Sequence, residues 1–232
     1  MLRTTKTVFM LLLGAGVLTA CGGGGSSSVP ASQPQGTSFA LQAGYKARIA
    51  AGSAADYVVS GSCSGTANSA DSVPVAASFE GAPALAANTS FTLVVTNCTP
   101  ASNTVVGQVF YDSNYTPLGT SVPGSAYGKF LVTPSPLPAS VKVGDSKEFG
   151  VQTMYSDGTK TVLTGKRAYS FVVQADTSTT ALVTFIVLGF DASSQLLVTE
   201  LSKYRIAGDG AMTQLSLEFR YANGTDLVFT KV

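Results

Sequence analysis

The sequence predicts an all-β protein, an antiparallel meander folded as a curved sheet or a sandwich. Gln214 to Tyr221 alternates apolar and polar residues at a period of two, which is typical of a strand with one buried face. Asp157-Gly158, Asp209-Gly210 and Asn223-Gly224 separate the apolar runs of the C-terminal half, and such pairs accept the positive φ angles of tight hairpins. Strands joined by short turns are antiparallel neighbours, and their sheet should curve or close to protect its edges.

Further strands are predicted from apolar runs elsewhere in the chain. Ala181 to Phe190 is apolar on both faces, so we expect a central strand covered on both sides. Little helical periodicity is found beyond the N-terminus. The remaining predicted strands are Tyr57 to Gly61, Val73 to Phe79, Phe91 to Thr96, Val105 to Tyr111, Tyr169 to Ala175, Gln195 to Ile206 and Asp226 to Val232.

Proline spacing predicts a division of the β-rich region. We expect an N-terminal β subdomain at 37–122, a proline-rich connection at 123–144 and a C-terminal antiparallel meander at 145–232. Ser90 to Thr120 also aligns with Tyr169 to Thr199, which favours two related subdomains. Similar composition alone produces such matches as well, so both explanations stay open.

The N-terminus has the three parts of an export signal. Arg3 and Lys6 give it a positive start, and Val8 to Val17 is an apolar run. This run is shorter than the roughly 20 residues that a membrane-spanning helix needs. Leu18-Thr19-Ala20-Cys21 closes the segment with small residues before a cysteine. We therefore predict a signal peptide at 1–20 that is cleaved before Cys21; a plain secretory signal with a chance cysteine is the alternative.

Leu18-Thr19-Ala20-Cys21 resembles the lipobox of bacterial lipoproteins, and residues 1–28 resemble the tethered lipoproteins of Gram-negative bacteria. The resemblance implies that the Cys21 thiol takes a diacylglycerol and that the new N-terminus is acylated, for example with palmitate. Several acyl chains would anchor the protein firmly on a membrane. Gly22 stands where an Asp retains many such lipoproteins in the inner membrane, so we expect the outer membrane, on its periplasmic face or at the cell surface.

Residues 21–36 are rich in Gly, Ser and Pro and are predicted to form a flexible tether after the lipidated cysteine. Two cysteines remain beyond it, Cys63 and Cys98. An even pair in the oxidising cell envelope predicts a disulfide, which on the chain-entropy model contributes ~3–4 kcal/mol to stability. Two free thiols are the alternative.

The composition excludes several classes of enzyme. The chain has no histidine, which removes Ser-His-Asp and Cys-His catalysis and histidine-ligated metals. Gly61-Ser62-Cys63-Ser64-Gly65 has the spacing of a nucleophile elbow, but no base is present to activate the cysteine. We therefore expect no enzyme, no cofactor and no metal. A hydrolase that uses paired carboxylates is the alternative, although most acidic residues lie at predicted turns.

Two hypotheses for function follow. The 14 basic and 13 acidic residues nearly balance and form no patch, so we expect no nucleic-acid partner. The first hypothesis is a non-enzymatic envelope module that binds another macromolecule, such as an envelope protein, through a sheet edge or a tyrosine-bearing face. The second is a carrier that holds a lipid or other hydrophobic ligand in the cavity of a curved sheet, with Ala181 to Phe190 in its wall.

Overall fold

The computed structural model describes residues 37–232, which form one helix and thirteen strands in a closed antiparallel β-barrel. The elements are α1 (Leu41–Ala51), β1 (Ser53–Gly61), β2 (Gly65–Asp71), β3 (Val75–Phe79), β4 (Ala82–Val95), β5 (Ser102–Tyr111), β6 (Pro117–Val122), β7 (Ala126–Phe130), β8 (Ser146–Tyr155), β9 (Leu163–Ala175), β10 (Thr180–Asp191), β11 (Leu196–Ala207), β12 (Met212–Tyr221) and β13 (Asp226–Lys231). The predicted all-β antiparallel fold is confirmed.

Twelve strands form the ring of the barrel. From β4 to β13 each strand pairs with the next along the chain, and β13 then pairs with β1. β1 pairs with β2, and β2 pairs with the second half of β4, which closes the ring. β3 pairs with the first half of β4 and lies outside the ring. The long strand β4 therefore pairs with both β2 and β3 along the same edge.

All nine predicted strands are present, but the sequence does not predict α1, β2, β6, β7 or β8. β7 lies inside the predicted proline-rich connection at 123–144, and it pairs with β6 and β8. Strands from 37–122 and from 145–232 consequently share one continuous sheet.

The predicted signal peptide at 1–20, Cys21 and the tether at 21–36 lie outside the described residues. Between residues 37 and 232, no helix has the length and apolar character that crossing a bilayer requires.

Two apolar clusters fill parts of the barrel interior. The first surrounds the start of α1 and contains Phe39, Leu41 and Phe171, which are almost fully buried. The second contains Tyr57 and Phe229, close to the pairing of β1 with β13. Both clusters draw on residues between 39 and 229. The described residues accordingly form a compact unit with a core of their own.

A third apolar cluster fixes the β3–β4 hairpin to the outer wall. Phe110 alternates with Val109 and Tyr111, which line the interior, so its side chain points outward. The Phe79 ring centre lies 4.7 Å from that of Phe110 and 5.7 Å from that of Tyr127. β3 therefore packs against the outside of the barrel.

Two of the three predicted glycine turns have the expected backbone. Gly210 and Gly224 have φ angles of 91° and 86°. In the turn at Asp157-Gly158 the positive φ, 58°, belongs instead to Lys160. This turn is longer than a two-residue hairpin, so its left-handed position falls after the glycine.

Candidate functional site

The helix α1 is held at one end of the barrel by the residues before it. The Phe39 N–H donates to the Val141 carbonyl at 2.8 Å, and the Val141 N–H donates back to the Phe39 carbonyl at 2.9 Å. Leu41, at the first helical position, is completely buried. Tyr45 and Arg48 follow on the same helical face, because residues three and four apart lie one above the other. Both side chains line the interior.

An interior cavity of about 220 Å³ lies between α1 and the strands from β5 to β11. Its apolar wall includes Val109, Phe130, Phe149, Phe185 and Val187. The last two belong to β10, which covers the predicted doubly apolar run. The fold thus leaves an apolar space open where a core would otherwise be filled.

Arg48 connects this cavity to the other open spaces of the barrel. It also lines a second interior cavity of about 220 Å³ and an open cleft of about 590 Å³ between α1 and β12. The cleft is bordered by small residues of the helix, among them Ala43, Gly44 and Ala47. Among residues 37–232, Arg48 is the one residue that lines both the cleft and the first cavity.

The Arg48 guanidinium has little direct pairing. Its carbon lies 5.1 Å from the centre of the Tyr204 ring, and its Nη1 lies 4.0 Å from Oδ2 of Asp71. That Asp71 oxygen already accepts a hydrogen bond from Ser53 Oγ at 2.8 Å. Within residues 37–232, no hydrogen bond to the Arg48 side chain is formed, although 26% of it remains accessible. Apart from the ion pair with Asp71 and the contact with the Tyr204 ring, its N–H donors therefore have room for a ligand.

Burial and neighbouring groups shift the pKa values of Arg48 and of the tyrosines around it. Burial alone would lower the pKa of Arg48, but the oxygens of Tyr204, Tyr45, Asp71 and Tyr111 outweigh it, so the pKa is raised and the group stays cationic. Loss of solvent raises the pKa of Tyr45 to about 12, despite the opposing effect of Arg48. Desolvation also raises the pKa values of Tyr111 and Tyr204. All three phenols are consequently neutral O–H donors at physiological pH.

The opposite wall of the cavity carries a hydrogen-bonded chain that is already complete. The Tyr169 hydroxyl donates to Oε1 of Gln152 at 3.0 Å, and Nε2 of Gln152 donates to Oγ1 of Thr120 at 3.3 Å. Gln152 is fully buried, so these bonds compensate its desolvation. Among the described residues, the hydroxyls of Tyr45 and Tyr111 have no such partner. The same holds for Tyr204.

A second interior arginine is paired within the protein. Arg167 alternates with the outward Ala168, so it shares the inner face with Tyr169. Its Nη2 lies 3.7 Å from Oε1 of Glu200 on β11. Arg167 and Arg48 thus each have one carboxylate within 4.0 Å, but Arg48 lines all three open spaces described above and Arg167 lines none of them.

The sequence-predicted site residues lie elsewhere. The structure contains the predicted disulfide between Cys63 and Cys98, whose Cα atoms are 5.8 Å apart. Cys63 is buried beside Tyr57 in the second interior cluster, and neither cysteine lines the cavities described above. Cys21 is outside the described residues. The disulfide ties the loop after β1 to the loop after β4, which is a structural role.

Sequence reasoning does not identify Arg48 or the tyrosines around it. Their only sequence signal is the spacing of Leu41, Tyr45 and Arg48, which becomes meaningful once a helix is recognised. In the part of the chain from 37 to 232, no group of three or more Cys, Asp or Glu side chains is arranged to hold a metal ion.

Comparison of the chain with known protein families, curated proteins and solved structures finds no match.

Proposed function

We propose that the barrel binds a small hydrophobic ligand in its interior and holds or carries it at the cell envelope. The observation that supports this most is the cavity of about 220 Å³ behind α1, with Val109, Phe185 and Val187 in its wall. Ligand sites in proteins are typically concave, largely apolar and provided with a few polar groups. This volume equals that of about seven water molecules, so a short alkyl chain or a single ring fills it.

The predicted lipid anchor on Cys21 fits this role. A barrel tethered to the outer membrane through residues 21–36 exchanges amphiphilic molecules with the bilayer over a short path. Replacing Cys21→Ser should abolish metabolic labelling with palmitate and release the protein from the membrane fraction. Retention of the label in that variant would refute the anchor without touching the proposed cavity.

The cavity is tested with the barrel unit, residues 31–232, purified from an oxidising compartment. Titration with 1-octanol should give an adduct in native mass spectrometry that is lost on denaturation. Val187→Phe should remove it, because Val187 lines the cavity and phenylalanine fills that space. Ile186→Phe is the matched control, since Ile186 directly precedes Val187 on β10 and its side chain points to the outer face.

An adduct that survives Val187→Phe would place the ligand outside this cavity and overturn the proposal. A barrel that binds no hydrophobic probe would do the same. The macromolecular partner, which is the first hypothesis from the sequence, would then be pursued by cross-linking in cells.

A further inference from the structure

We infer that the interior ligand is an organic monoanion with a short apolar chain, whose acid group is bound by Arg48 together with tyrosine hydroxyls. The inference rests on the proposed function and names the chemical class of ligand that the cavity selects. Three observations support it: the incomplete pairing of Arg48, the protonated phenols around it, and the position of Arg48 between the cleft and the cavity.

The positive charge of Arg48 is only partly compensated by a neighbouring carboxylate. A charged hydrogen bond between a guanidinium and a carboxylate has a donor–acceptor distance of about 2.7–2.9 Å, whereas Arg48 Nη1 and Asp71 Oδ2 are 4.0 Å apart. Arginines that leave bulk water are normally hydrogen-bonded to an anion, because desolvation of the cation is costly. The donors of Arg48 instead face cavities. A planar guanidinium in this state fits an oxyanion in two-point contact.

Three tyrosine hydroxyls beside Arg48 provide further hydrogen-bond donors. Tyr45, Tyr111 and Tyr204 line the same cavity as Arg48, and each stays protonated. A protonated phenol donates one hydrogen bond, and none of the three uses that donor within residues 37–232. One cation and several neutral donors around a common space favour an anion over a neutral or cationic group.

Arg167 differs from Arg48 in its surroundings. Each of the two guanidinium groups has one carboxylate within 4.0 Å, but Arg167 lines none of the cavities described above. On the opposite wall, the Gln152 amide bonds to Tyr169 and Thr120. The donors of Arg48 instead face three open spaces, which favours their use by a ligand.

The position of Arg48 gives the bound molecule a direction. Arg48 borders both the open cleft and the cavity, while Phe130, Phe149 and Val187 form the apolar wall of the cavity. The acid group therefore sits at the cleft, where water reaches it, and the apolar chain extends towards these side chains. Arg48 is the one charged side chain among the described residues that line the cavity, and most of the other lining groups are apolar or aromatic, so the cavity suits an amphiphile with one anionic end.

The experiment compares octanoate with 1-octanol, which have the same chain length and differ in the charge of one end group. Both are titrated by calorimetry into the 31–232 unit at neutral pH. We expect octanoate to bind about 10-fold or more tightly than 1-octanol, because hydrogen bonds to charged groups are worth more than neutral ones. Arg48→Gln should weaken octanoate about 10- to 100-fold and leave 1-octanol within about 3-fold.

Lys46→Gln is the matched control. It removes one positive charge from the same helix, at a residue that lines none of the cavities described here, and should leave both affinities unchanged. Tyr111→Phe removes one hydroxyl with almost no change of shape and should weaken octanoate about 3- to 10-fold. This variant keeps the test decisive if Arg48→Gln does not fold, which far-UV circular dichroism would reveal.

Equal binding of the two probes, or an equal loss of both in the Arg48 and Tyr111 variants, would overturn the assignment of an anion and leave the proposed function standing. Failure of both probes to bind the unsubstituted barrel would count against the proposed function itself, and this inference would fall with it.

Discussion

Gly44 of α1 lies directly against Gly210 in the turn between β11 and β12. A Cβ atom added at Gly44 would stand 1.9 Å from the Gly210 carbonyl oxygen, far inside van der Waals contact. Gly210 itself has a φ of +91°, and its own Cβ would come within 2.8 Å of the Ala40 carbonyl oxygen. The two glycines together allow the helix backbone to rest on the turn, and this contact seats α1 at the end of the barrel.

Gly44→Ala should therefore lower stability, although Gly→Ala in a helix interior usually raises it by about 0.5–1 kcal/mol. The methyl group has no space, so we expect a loss of about 1–3 kcal/mol in urea unfolding and faster proteolysis at α1. Gly208→Ala is the control, because it lies near the same turn with nothing within 4 Å of its Cβ position. A Gly44→Ala barrel as stable as the control would show that the contact does not constrain the helix.

Loss of the Cys63–Cys98 disulfide should lower the stability of the barrel. Cys63 and Cys98 are separated by 35 residues, and cross-links of that span stabilise by ~3–4 kcal/mol on the chain-entropy model. The double variant Cys63→Ala and Cys98→Ala should lower the free energy of unfolding by about this amount. Dithiothreitol should lower the stability of the unsubstituted barrel to a similar level and leave the double variant unchanged. If reductant had no effect on an unsubstituted barrel whose thiols are shown to be reduced, the cross-link would be irrelevant to stability.

The ion pairs of Glu80, in the turn between β3 and β4, should make the stability of the barrel depend on pH. Its carboxylate accepts from Lys129 Nζ at 2.7 Å, from Lys160 Nζ at 2.7 Å and from the Tyr127 hydroxyl. The bond to Lys129 contributes most, and together they lower the pKa of Glu80 from 4.5 to about 2. A lowered folded-state pKa gives stability that is fully present above pH ~4.5 and is lost as the pH falls towards 2.

The check for Glu80 is the stability of the unsubstituted barrel minus that of Glu80→Gln, measured by urea unfolding from pH 7 down to 2. This difference should favour the glutamate above pH ~5 and shrink steadily below it. Glu148→Gln is the control, because this carboxylate on β8 has no salt bridge to any residue from 37 to 232. A difference that stays constant across the whole range would rule out the ionic role of Glu80.

Thr184 offers a stabilising substitution. It lies on the outer face of β10, between Val172 and Lys203, and is only 6% exposed. Its Oγ1 is the one shielded side-chain polar atom that lacks a hydrogen-bond partner among residues 37–232. Thr184→Val keeps the branched shape and removes the unpaired hydroxyl, so we expect a gain of about 1 kcal/mol in urea unfolding.

The control for Thr184 is Thr92→Val. Thr92 is half-buried, and its hydroxyl shares an exposed hydrogen bond of 3.1 Å with that of Thr104. Its substitution should change stability by less than about 0.5 kcal/mol. A loss of stability in Thr184→Val would mean that the hydroxyl is hydrogen-bonded in solution.

Where apolar residues alternate, the sequence predicts the strands well. Leu217 and Phe219 of β12 do face the interior cluster around Phe229. The alternation fails at Leu215, because a bulge pairs Lys203 with Ser216 and the next residue with Gln214. A bulge of this kind depends on the partner strand, so the pattern of one strand does not reveal it.

Elements without an apolar pattern escape prediction. β2 reads Gly-Thr-Ala-Asn-Ser-Ala-Asp and buries only Ala67, yet it forms because β1 and β4 supply hydrogen bonds on both sides. α1 has a glycine at position 44 and few large apolar residues, so its stability comes from packing at Leu41 and Ile49. Since the helix is not recognised, Arg48 is not recognised either, and the centre of the candidate site stays hidden.

The sequence match between the two halves has a local structural basis. The turns after β5 and β10 are alike: Asp112 and Asp191 each accept backbone N–H bonds, and Tyr115 and Ser194 have φ angles of 62° and 67°. The similarity does not extend to the core. Val109 faces the cavity, whereas the aligned Leu188 follows the inward Val187 and points outward.

Pairing of β1 with β13 links the order of folding to the order of synthesis. Gly61 lies opposite Leu227, and Tyr57 lies opposite Lys231, so strands from the two ends of the described chain are neighbours. Eleven strands separate β1 from β13 along the chain, so β1 stays without this partner until all of them have been synthesised. Until then the nascent chain presents unpaired strand edges that other chains can occupy. Shielding of those edges by a chaperone during this interval should therefore determine how much of the protein reaches the closed ring.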